Sequence, residues 1–303
     1  MDLVSQIKEI EKNFSGQILF DENLSKYSWF NLGGPAKVIF KPKNLNELSF
    51  FVKKISGLSK IKVLGAGSNT LIRDGGFDGI IIKLGKSFSH MSLFDKNTII
   101  AGALTLDKNL SNFALENTLS GFEFLSCIPG TIGGGIRMNS GCYGEDLSKI
   151  LVSVQVMDFN GQVRVIYSSD INFSYRTCDL DNNLIFISAT FRGKIDSKNN
   201  IQKKINSLVQ RKKKDQPYKI KTCGSTFKNP ENSKAWQLIK DSGCSGMKVG
   251  DAHISEKHCN FFINNGHAKS SDLEELINKV KKTVRDKTGI DLELELHIIG
   301  KKL

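Results

Sequence analysis

The sequence lacks the residue spacings that mark most protein metal sites and disulfide frameworks. Its six cysteines are scattered without a Cys-x-x-Cys pair, and its five histidines form neither a His-x-x-x-His nor a His-Glu-x-x-His pattern. Such spacings are what place zinc ligands together on a turn or a helix face. We therefore predict that the cysteines are reduced and that the protein has no metal centre.

Long apolar segments are also missing. No run in the chain approaches the length needed to span a bilayer. The opening segment, MDLVSQIKEIEKNF, contains acidic residues and no apolar core of the kind found in signal peptides. The sequence therefore predicts a cytoplasmic protein without membrane insertion.

Acidic residues are outnumbered by basic ones, 31 to 43, which gives a net charge of +12. Such an excess favours polyanions or phosphorylated small molecules as ligands. The basic residues are spread along the chain, however, and the one dense run, Arg211 to Lys214, ends an amphipathic helix. Because no zinc finger, RRM or helix-turn-helix pattern is present, we expect phosphorylated small molecules and no nucleic acid.

Glycine is clustered in the stretch from Gly121 to Gly144, which holds seven of the 27 glycines. Its centre, Pro129 to Gly135, offers backbone N–H groups that few side chains obstruct, an arrangement that can bind phosphate oxygens. A tight turn without a ligand would also explain the glycines. A lone glycine motif does not separate the two interpretations.

Another glycine loop, GAGSNT at 65 to 70, follows the predicted strand Ile61 to Leu64. Because it comes earlier in the chain, it is called the first glycine loop, and the loop from Pro129 to Gly135 is called the second. The first loop is not a dinucleotide-binding fingerprint, because Thr70 stands where the third glycine is required and turn residues interrupt the segment that follows. The two loops instead suggest that a dinucleotide is held through its pyrophosphate by loops from two lobes.

Hydrophobic periodicity predicts mixed helices and strands. Apolar positions from Leu48 to Ile55 and from Leu106 to Leu119 predict helices, and Asn160-Gly161 between alternating runs predicts a hairpin. A capping box at Ser271 and Glu274 predicts the start of a late helix that ends at Gly289. The alternating residues 290 to 298 predict a final strand.

Three polar residues are candidates for chemistry. Ser225 lies between glycine and proline, where a turn could present its hydroxyl as a proton donor, although a turn serine without a role has the same pattern. Arg176 could hold a carboxylate with two hydrogen bonds or could be a surface arginine. Glu295 stands on the polar face of the final strand beside Glu293, which a solvated sheet face would also explain.

Taken together, these segments resemble the UDP-N-acetylenolpyruvoylglucosamine reductases, flavoenzymes of bacterial peptidoglycan synthesis. The resemblance runs through nearly the whole chain. It is carried by FNLGGPA at 30 to 36, LGAGSNTLIRDGGFDGIII at 64 to 82, IPGTIGGGIRMNSGCYGED at 128 to 146, FSYR at 173 to 176, QPYKIKTCGSTFKNP at 216 to 230, AWQLIKDSGCSGMKVGDAHISEKHCNFFINNG at 235 to 266 and LELELHIIG at 292 to 300.

The resemblance implies an α+β protein with a two-lobed FAD-binding portion of the vanillyl-alcohol-oxidase (PCMH) type and a C-terminal α+β substrate-binding domain. The FAD-binding portion would cover residues 1–196, with lobe one at about 1–84 and lobe two at about 85–196, and the substrate-binding domain would cover 197–303. The FAD pyrophosphate would lie against the two glycine loops, whose expected contact residues are Gly65, Ala66, Gly67, Ser68, Asn69, Pro129, Gly130, Thr131, Gly133, Gly134 and Gly141.

The same resemblance implies roles for the three polar candidates. Ser225 would be the general acid, with Arg176 and Glu295 beside the reacting enolpyruvyl group and Asn229 in contact with the substrate. The expected partners are NADPH, which would reduce bound FAD, and the enolpyruvyl ether of UDP-N-acetylglucosamine. The short span from Arg176 to Ser225 is similar to the subclass without an extra tyrosine-bearing loop.

The sequence departs from the family pattern at Trp29, Asn31, Lys240 and His297, which bear on flavin and substrate contacts. Two alternatives also stay open. A flavin-dependent oxidase of the same fold class would use oxygen and ignore the UDP-sugar. A basic binding protein would contain no flavin and would bind nucleic acid with a steep dependence on salt.

Overall fold

Capping residues and hydrophobic periodicity account for the helices of the protein, whose computed structural model describes residues 2–303. α2, for example, begins where the Asn44 side chain accepts a hydrogen bond from the Glu47 N–H, and it buries Leu48, Phe51, Val52 and Ile55 on one face. The α-helices of residues 2–303 are α1 (Leu3–Ile10), α2 (Leu45–Ile55), α3 (Asp107–Glu116), α4 (Ile132–Arg137), α5 (Lys198–Asp215), α6 (Ala235–Asp241) and α7 (Ser270–Thr288).

The strands are short, and most are bounded by glycine, proline or asparagine turns. In chain order they are β1 (Gln17–Asn23), β2 (Pro35–Lys41), β3 (Ile61–Val63), β4 (Thr70–Ile72), β5 (Phe77–Ile82), β6 (Met91–Leu93), β7 (Thr98–Gly102), β8 (Leu119–Ser120), β9 (Gly141–Cys142), β10 (Glu145–Asp146), β11 (Leu151–Met157), β12 (Val163–Tyr167), β13 (Phe173–Ser174), β14 (Thr177–Cys178), β15 (Ile185–Arg192), β16 (Lys194–Ile195), β17 (Lys248–Val249), β18 (Ala252–Ile254), β19 (Phe262–Asn264) and β20 (His297–Ile299).

The chain forms two structural units that interleave along the sequence. The first unit contains residues 1–20, 38–66 and 79–212, and the second contains 21–37, 67–78 and 213–303. The division between domains at residues 196 and 197 stays a prediction. The two structural units do not follow this predicted boundary. Most of α5 belongs to the first unit, and the end of the first glycine loop belongs to the second unit.

In the first unit, a five-stranded sheet in the order β12-β11-β15-β7-β6 packs into a large apolar core. The pairing of β11 with β12 confirms the hairpin that was predicted at Asn160-Gly161, with Met157 opposite Val163. A second sheet has the order β1-β2-β5-β3, in which β3 and β5 run parallel. Helices α2 and α3 confirm the two predicted helices of this part of the chain.

In the second unit, α7 buries Leu273, Leu276, Ile277 and Val280 in a separate apolar core. The capping box predicted at Ser271 and Glu274 is wrong. The capping box lies two residues earlier, where the Asp272 carboxylate accepts a hydrogen bond of 2.8 Å from the N–H of the N-cap residue Lys269. Glu274 instead forms an ion pair of 2.8 Å with Arg73. The predicted end at Gly289 is confirmed by its left-handed φ of 73°.

The sequence also predicted a final strand over residues 290 to 298, and the predicted length is wrong. β20 covers only His297–Ile299 and pairs in parallel with β4. The preceding residues pair instead with the loop that contains Ser225, through Lys228 N–H to the Glu293 carbonyl at 2.8 Å and Glu295 N–H to the Thr226 carbonyl at 2.9 Å. The alternating pattern arose because Leu292 and Leu296 are buried, not because all these residues belong to one ladder.

Candidate active site

The second glycine loop is held by backbone hydrogen bonds within the first unit. The Ile132 N–H donates to the Thr105 carbonyl, and the Gly133 N–H donates to the Ala103 carbonyl, each at 2.9 Å. Both N–H groups were among those predicted to bind phosphate oxygens. They are instead directed into the protein, where they form hydrogen bonds with backbone carbonyls. Gly133 is needed for packing, since a Cβ atom there would lie 3.1 Å from the Ala103 Cβ.

The two glycine loops meet at the hydroxyl of Thr131. A Cβ atom placed on Gly65 would lie 2.6 Å from the Thr131 Oγ1, and one placed on Gly134 would lie 3.5 Å from the same atom. Apart from Thr131, neither Cβ position meets another atom within 4 Å. Gly134 thus leaves room for a ligand beside the Thr131 hydroxyl, whereas Gly65 lies directly against that hydroxyl and has no room for a side chain.

Lys83 brings a positive charge to the first loop and was missed by the sequence analysis. Its Nζ donates a hydrogen bond of 2.7 Å to the Gly65 carbonyl, and burial lowers the pKa of Lys83 to about 8. It is therefore mostly an ammonium at neutral pH. The only signal in the sequence was a lysine directly after the apolar run Ile80 to Ile82, a pattern that also fits an ordinary strand end.

Asp107 is a buried carboxyl group beneath the second glycine loop, and it too was missed. Its side chain is fully buried, neither of its oxygens has a hydrogen-bond partner among the described residues, and a Cβ on Gly130 would lie 2.5 Å from its Oδ2. Burial raises the pKa of Asp107 from 3.8 to about 8. At neutral pH the group is therefore mainly a neutral acid, which keeps a negative charge away from the loop.

The Asp107→Asn variant will change how folding stability depends on pH. Between about pH 4 and pH 8 the folded protein holds a proton that the unfolded chain has released, so the wild-type free energy of unfolding will fall as the pH rises through this range. Asparagine does not titrate. We expect the stability of the variant relative to wild type to increase by about 2–4 kcal/mol from pH 5 to pH 8, measured by urea unfolding. Parallel pH profiles for the two proteins would contradict the assignment.

The end of the first glycine loop lies in the second unit and is tied to the segment of Glu295. Gly67 has a φ of 68°, and a Cβ there would lie 1.9 Å from the Tyr27 carbonyl oxygen, so only glycine fits. The Asn69 Nδ2 donates to the Glu295 carbonyl at 3.0 Å, and the His297 N–H donates to the Asn69 carbonyl at 3.0 Å. The Asn69 side chain is therefore engaged with the protein, and cofactor binding by its remaining atoms stays a prediction.

The second unit brings Ser225 and Glu295 onto neighbouring segments. Phe227 and Leu294 form an antiparallel bridge, and the Glu295 N–H donates to the Thr226 carbonyl, so the two candidate residues flank the same pairing. Ser225 itself is half-buried and bridges to Phe261, after Gly224 with a φ of 78°. A bend at Gly224 precedes the serine, and the role of the Ser225 hydroxyl stays a prediction.

Buried Asn260 fixes the geometry of the Ser225 segment. Its side chain accepts a hydrogen bond from the Phe227 N–H at 2.9 Å and donates to the Phe227 carbonyl at 2.8 Å. Its own carbonyl accepts a hydrogen bond of 2.8 Å from the Thr226 N–H. Three hydrogen bonds from one buried residue leave the backbone next to Ser225 little freedom to move.

Asn229, the expected substrate contact, uses its Oδ1 to accept a hydrogen bond from the Ala235 N–H at 3.0 Å. This bond satisfies a backbone donor in the first turn of α6. Its contact with substrate stays a prediction that involves its other atoms.

Arg176 belongs to the first unit and lies in the turn between the paired strands β13 and β14. Its φ is 62°, a left-handed conformation that is uncommon for a residue with a side chain. The guanidinium carbon lies 5.0 Å from the centre of the Tyr175 ring. Residues with strained backbone conformations are found most often at functional sites, which is consistent with a role for Arg176.

The other expected cofactor contacts lie in the two glycine loops, except Gly141, which lies in β9. Ala66 and Ser68 are half-buried, whereas Pro129 and Gly134 are exposed. Packing alone requires glycine at position 141, because a Cβ there would clash with the Glu145 carbonyl oxygen. Their contacts with FAD stay predictions.

Among residues 2–303, no group of three or more His, Cys, Asp and Glu side chains is placed to hold a metal ion. Within the same residues, no helix has both the length and the apolar character to cross a membrane.

Comparison with known proteins gives two family matches in the chain. Residues 36–167 match the FAD binding domain, and residues 216–299 match the C-terminal domain of UDP-N-acetylenolpyruvoylglucosamine reductase. These matches confirm the expected α+β fold with an FAD-binding portion and a separate C-terminal domain, and they confirm FAD as the cofactor.

Similar proteins span nearly the whole chain. The UDP-N-acetylenolpyruvoylglucosamine reductase of Pelagibacter ubique (strain HTCC1062) is 50% identical and covers 98% of this chain and 99% of its own length. That of Orientia tsutsugamushi (strain Ikeda) is 44% identical, with 97% and 95% covered. The crystal structure of the enzyme from Thermus caldophilus matches with a TM-score of 0.81 at 30% identity, over 94% of this chain and 99% of that one.

Proposed function

Because the chain belongs to the UDP-N-acetylenolpyruvoylglucosamine reductase family and is a flavoprotein oxidoreductase, we propose that it reduces the enolpyruvyl ether of UDP-N-acetylglucosamine to UDP-N-acetylmuramate with electrons from NADPH. The structural observation that best supports this proposal is the arrangement of the second unit. There Ser225 and Glu295 lie on paired segments, and Asn69 joins these segments to the first glycine loop.

The residues around the glycine loops fit the pyrophosphate of FAD. Gly134 leaves space beside the Thr131 hydroxyl, which can donate a hydrogen bond, and Lys83 supplies a positive charge at Gly65, which packs against the same hydroxyl. The protonated Asp107 adds no opposing negative charge at neutral pH. When bound, FAD would accept hydride from the reduced nicotinamide and would then donate hydride from its reduced N5 to C3 of the enolpyruvyl group.

The roles of the side chains follow from the charge that develops in the substrate. Addition of hydride at C3 moves an electron pair toward C2 and the carboxylate. The Arg176 guanidinium can hold that carboxylate with two hydrogen bonds and stabilise the added charge, and Glu295 can assist by hydrogen bonding. The Ser225 hydroxyl then donates a proton to C2. Serine is a weak acid, but the enolate is a strong base, so the transfer is feasible.

An anaerobic absorption experiment tests the proposed function. We expect flavin bands in the purified protein that bleach with NADPH and return when the enolpyruvyl UDP-sugar is added. Reoxidation by oxygen but not by the sugar would favour the flavin-dependent oxidase. A colourless protein that does not take up added FAD would favour the basic binding protein.

Replacing Gly134 with alanine will separate FAD binding from folding. The new methyl group has only the Thr131 Oγ1 within 4 Å, at 3.5 Å, and alanine is favoured over glycine in a helix by up to about 1 kcal/mol. Folding stability should therefore be kept or slightly raised. If the pyrophosphate occupies this space, the Kd for FAD will rise by about 10-fold or more, measured by flavin fluorescence on the deflavinated protein.

Gly133→Ala is the matched control in the same helix. Its methyl group would lie 3.1 Å from the Ala103 Cβ and 3.3 Å from the Phe186 Cβ, so we expect a loss of about 1–3 kcal/mol in folding stability. Wild-type FAD affinity in Gly134→Ala would show that this glycine does not face the cofactor.

A further inference from the structure

Two cysteines stand at the ends of the segment that carries the second glycine loop. Cys127 ends the short 3-10 helix Glu123–Cys127, and Cys142 ends β9. The Cys142 Sγ donates a hydrogen bond of 3.4 Å to the Phe124 carbonyl within that 3-10 helix, and the Cys127 and Cys142 thiols are near enough to alter each other's pKa. The proposed function uses neither thiol.

The surroundings of the pair are cationic. The Lys212 Nζ donates a hydrogen bond of 2.6 Å to the Cys127 carbonyl, and its charge acts on both thiols. The charge of Arg176 acts on Cys142. Positive charge beside a thiol stabilises the thiolate, which is the reactive form of cysteine.

The two thiols are not equivalent. The nearby Cys142 thiol, together with a hydrogen bond with Ser126 and the charge of Lys212, lowers the pKa of Cys127 to about 6. The nearby Cys127 thiol and burial raise the pKa of Cys142. Cys127 is therefore the thiol that ionises first, and Cys142 is the thiol that lies next to it.

The remaining cysteines provide a contrast. Burial raises the pKa of Cys178, and it raises the pKa of Cys223 to about 12. Burial also raises the pKa of Cys244, and the nearby Cys259 raises it further. Cys244 and Cys259 are thus a second neighbouring pair, buried in the apolar core of the second unit, and the thiol form of Cys244 is favoured.

We propose that Cys127 and Cys142 form a peroxide-sensitive dithiol that closes to a disulfide across the second glycine loop. The Cys127 thiolate attacks one oxygen of hydrogen peroxide, the O–O bond breaks, and the leaving hydroxide takes a proton to become water. The Cys142 sulfur then attacks the sulfur of the Cys127 sulfenic acid, the S–O bond breaks, and a second water leaves. Two thiols are oxidised and one peroxide is reduced.

The product would join the ends of the segment from residue 128 to residue 141, which includes Pro129 to Gly134. The modification site rests on the thiols alone and does not depend on the proposed function. Failure of either proposal would therefore leave the other untouched.

The test is to treat the purified, flavin-loaded protein with hydrogen peroxide at a slight molar excess and to measure its intact mass and free thiols. We expect two of the six thiols to disappear with a mass loss of about 2 Da, a proteolytic peptide that links Cys127 to Cys142, and full recovery with dithiothreitol. The unchanged wild-type chain is sufficient for this measurement.

Three serine variants identify the residues. Cys142→Ser should stop at a Cys127 sulfenic acid that dimedone traps, Cys127→Ser should show no mass loss, and Cys244→Ser should behave as wild type. Mass loss that persists in Cys127→Ser would overturn the proposal. So would a wild-type protein that stays reduced, or one that gains oxygen on Cys127 without forming the disulfide.

Discussion

Replacing Ser225 with alanine will slow reoxidation of the reduced enzyme by the enolpyruvyl UDP-sugar by about 10³-fold, or ~4 kcal/mol in barrier height, while NADPH reduces the flavin at nearly the wild-type rate. The effect is confined to one half-reaction because proton donation to C2 occurs only when the substrate is reduced. Anaerobic stopped-flow absorbance of the flavin follows each half-reaction separately.

The structure explains why the backbone should tolerate this change. The segment around Ser225 is held by Asn260 and by the pairing with Glu295, through backbone groups that alanine keeps. The loss of a hydroxyl from a half-buried position is a small perturbation of folding. The rate loss can therefore be assigned to the proton donor and not to a displaced loop.

Thr226→Val is the matched control. The Thr226 hydroxyl is fully buried and has no hydrogen-bond partner among the described residues, so a methyl group of the same shape should be neutral or stabilising. Both half-reactions should keep their wild-type rates. Equal slowing of both half-reactions in Ser225→Ala would argue against the role of Ser225 as proton donor.

Local patterns in the sequence predicted the local structure well. The apolar face of α2, the hairpin at Asn160-Gly161 and the end of α7 at Gly289 depend on residues that are close in sequence, and all three are confirmed. The glycine loops were found for the same reason, because glycine clusters are visible without knowing what they approach.

The sequence failed where distant residues decide the structure. The alternation from residue 290 to residue 298 predicted one strand, but the Ser225 loop pairs with its first part and β4 with its last. Asp272 rather than Glu274 caps α7 because Glu274 is paired with Arg73, two hundred positions away. Burial of Asp107 and Lys83 depends on packing that no local pattern reports.

Two departures from the family pattern, Asn31 and Lys240, have a local structural account. Asn31 has a φ of 54°, and asparagine is among the residues that tolerate the left-handed region best. This residue therefore fits the turn before Gly33-Gly34 without strain. Lys240 lies in the last turn of α6, where a positive charge interacts favourably with the helix dipole.

Replacing Arg176 with glycine will reduce kcat/KM for the UDP-sugar by about 10²- to 10³-fold with almost no change in folding stability. The guanidinium is the group that we propose holds the substrate carboxylate and stabilises its added charge, and removal of one such donor typically costs this much. Part of the loss should appear as a higher KM, because the carboxylate is present before hydride transfer. Steady-state kinetics with varied sugar concentration measures both parts, and FAD content should stay at the wild-type level.

The expected stability follows from the backbone. Arginine at a φ of 62° carries strain of about 1–2 kcal/mol that glycine does not. Glycine costs about 0.5–1 kcal/mol in backbone entropy, and the variant also loses a partly exposed contact with the Tyr175 ring worth about 0.5–1 kcal/mol. These terms nearly cancel, so urea unfolding should show a change of less than about 1 kcal/mol.

Thr118→Gly distinguishes release of backbone strain from loss of a catalytic group. Thr118 has a similar φ of 56°, is exposed, and lies in a turn after α3 to which no catalytic role is assigned. Its glycine variant removes the same kind of strain, so its folding stability should also change little and its kinetics should match wild type. If Arg176→Gly keeps wild-type kinetics as well, Arg176 has no catalytic role, and its left-handed backbone conformation only shapes the tip of the β13–β14 hairpin. If only Arg176→Gly loses activity, the strain is maintained because the reaction needs a guanidinium at that position.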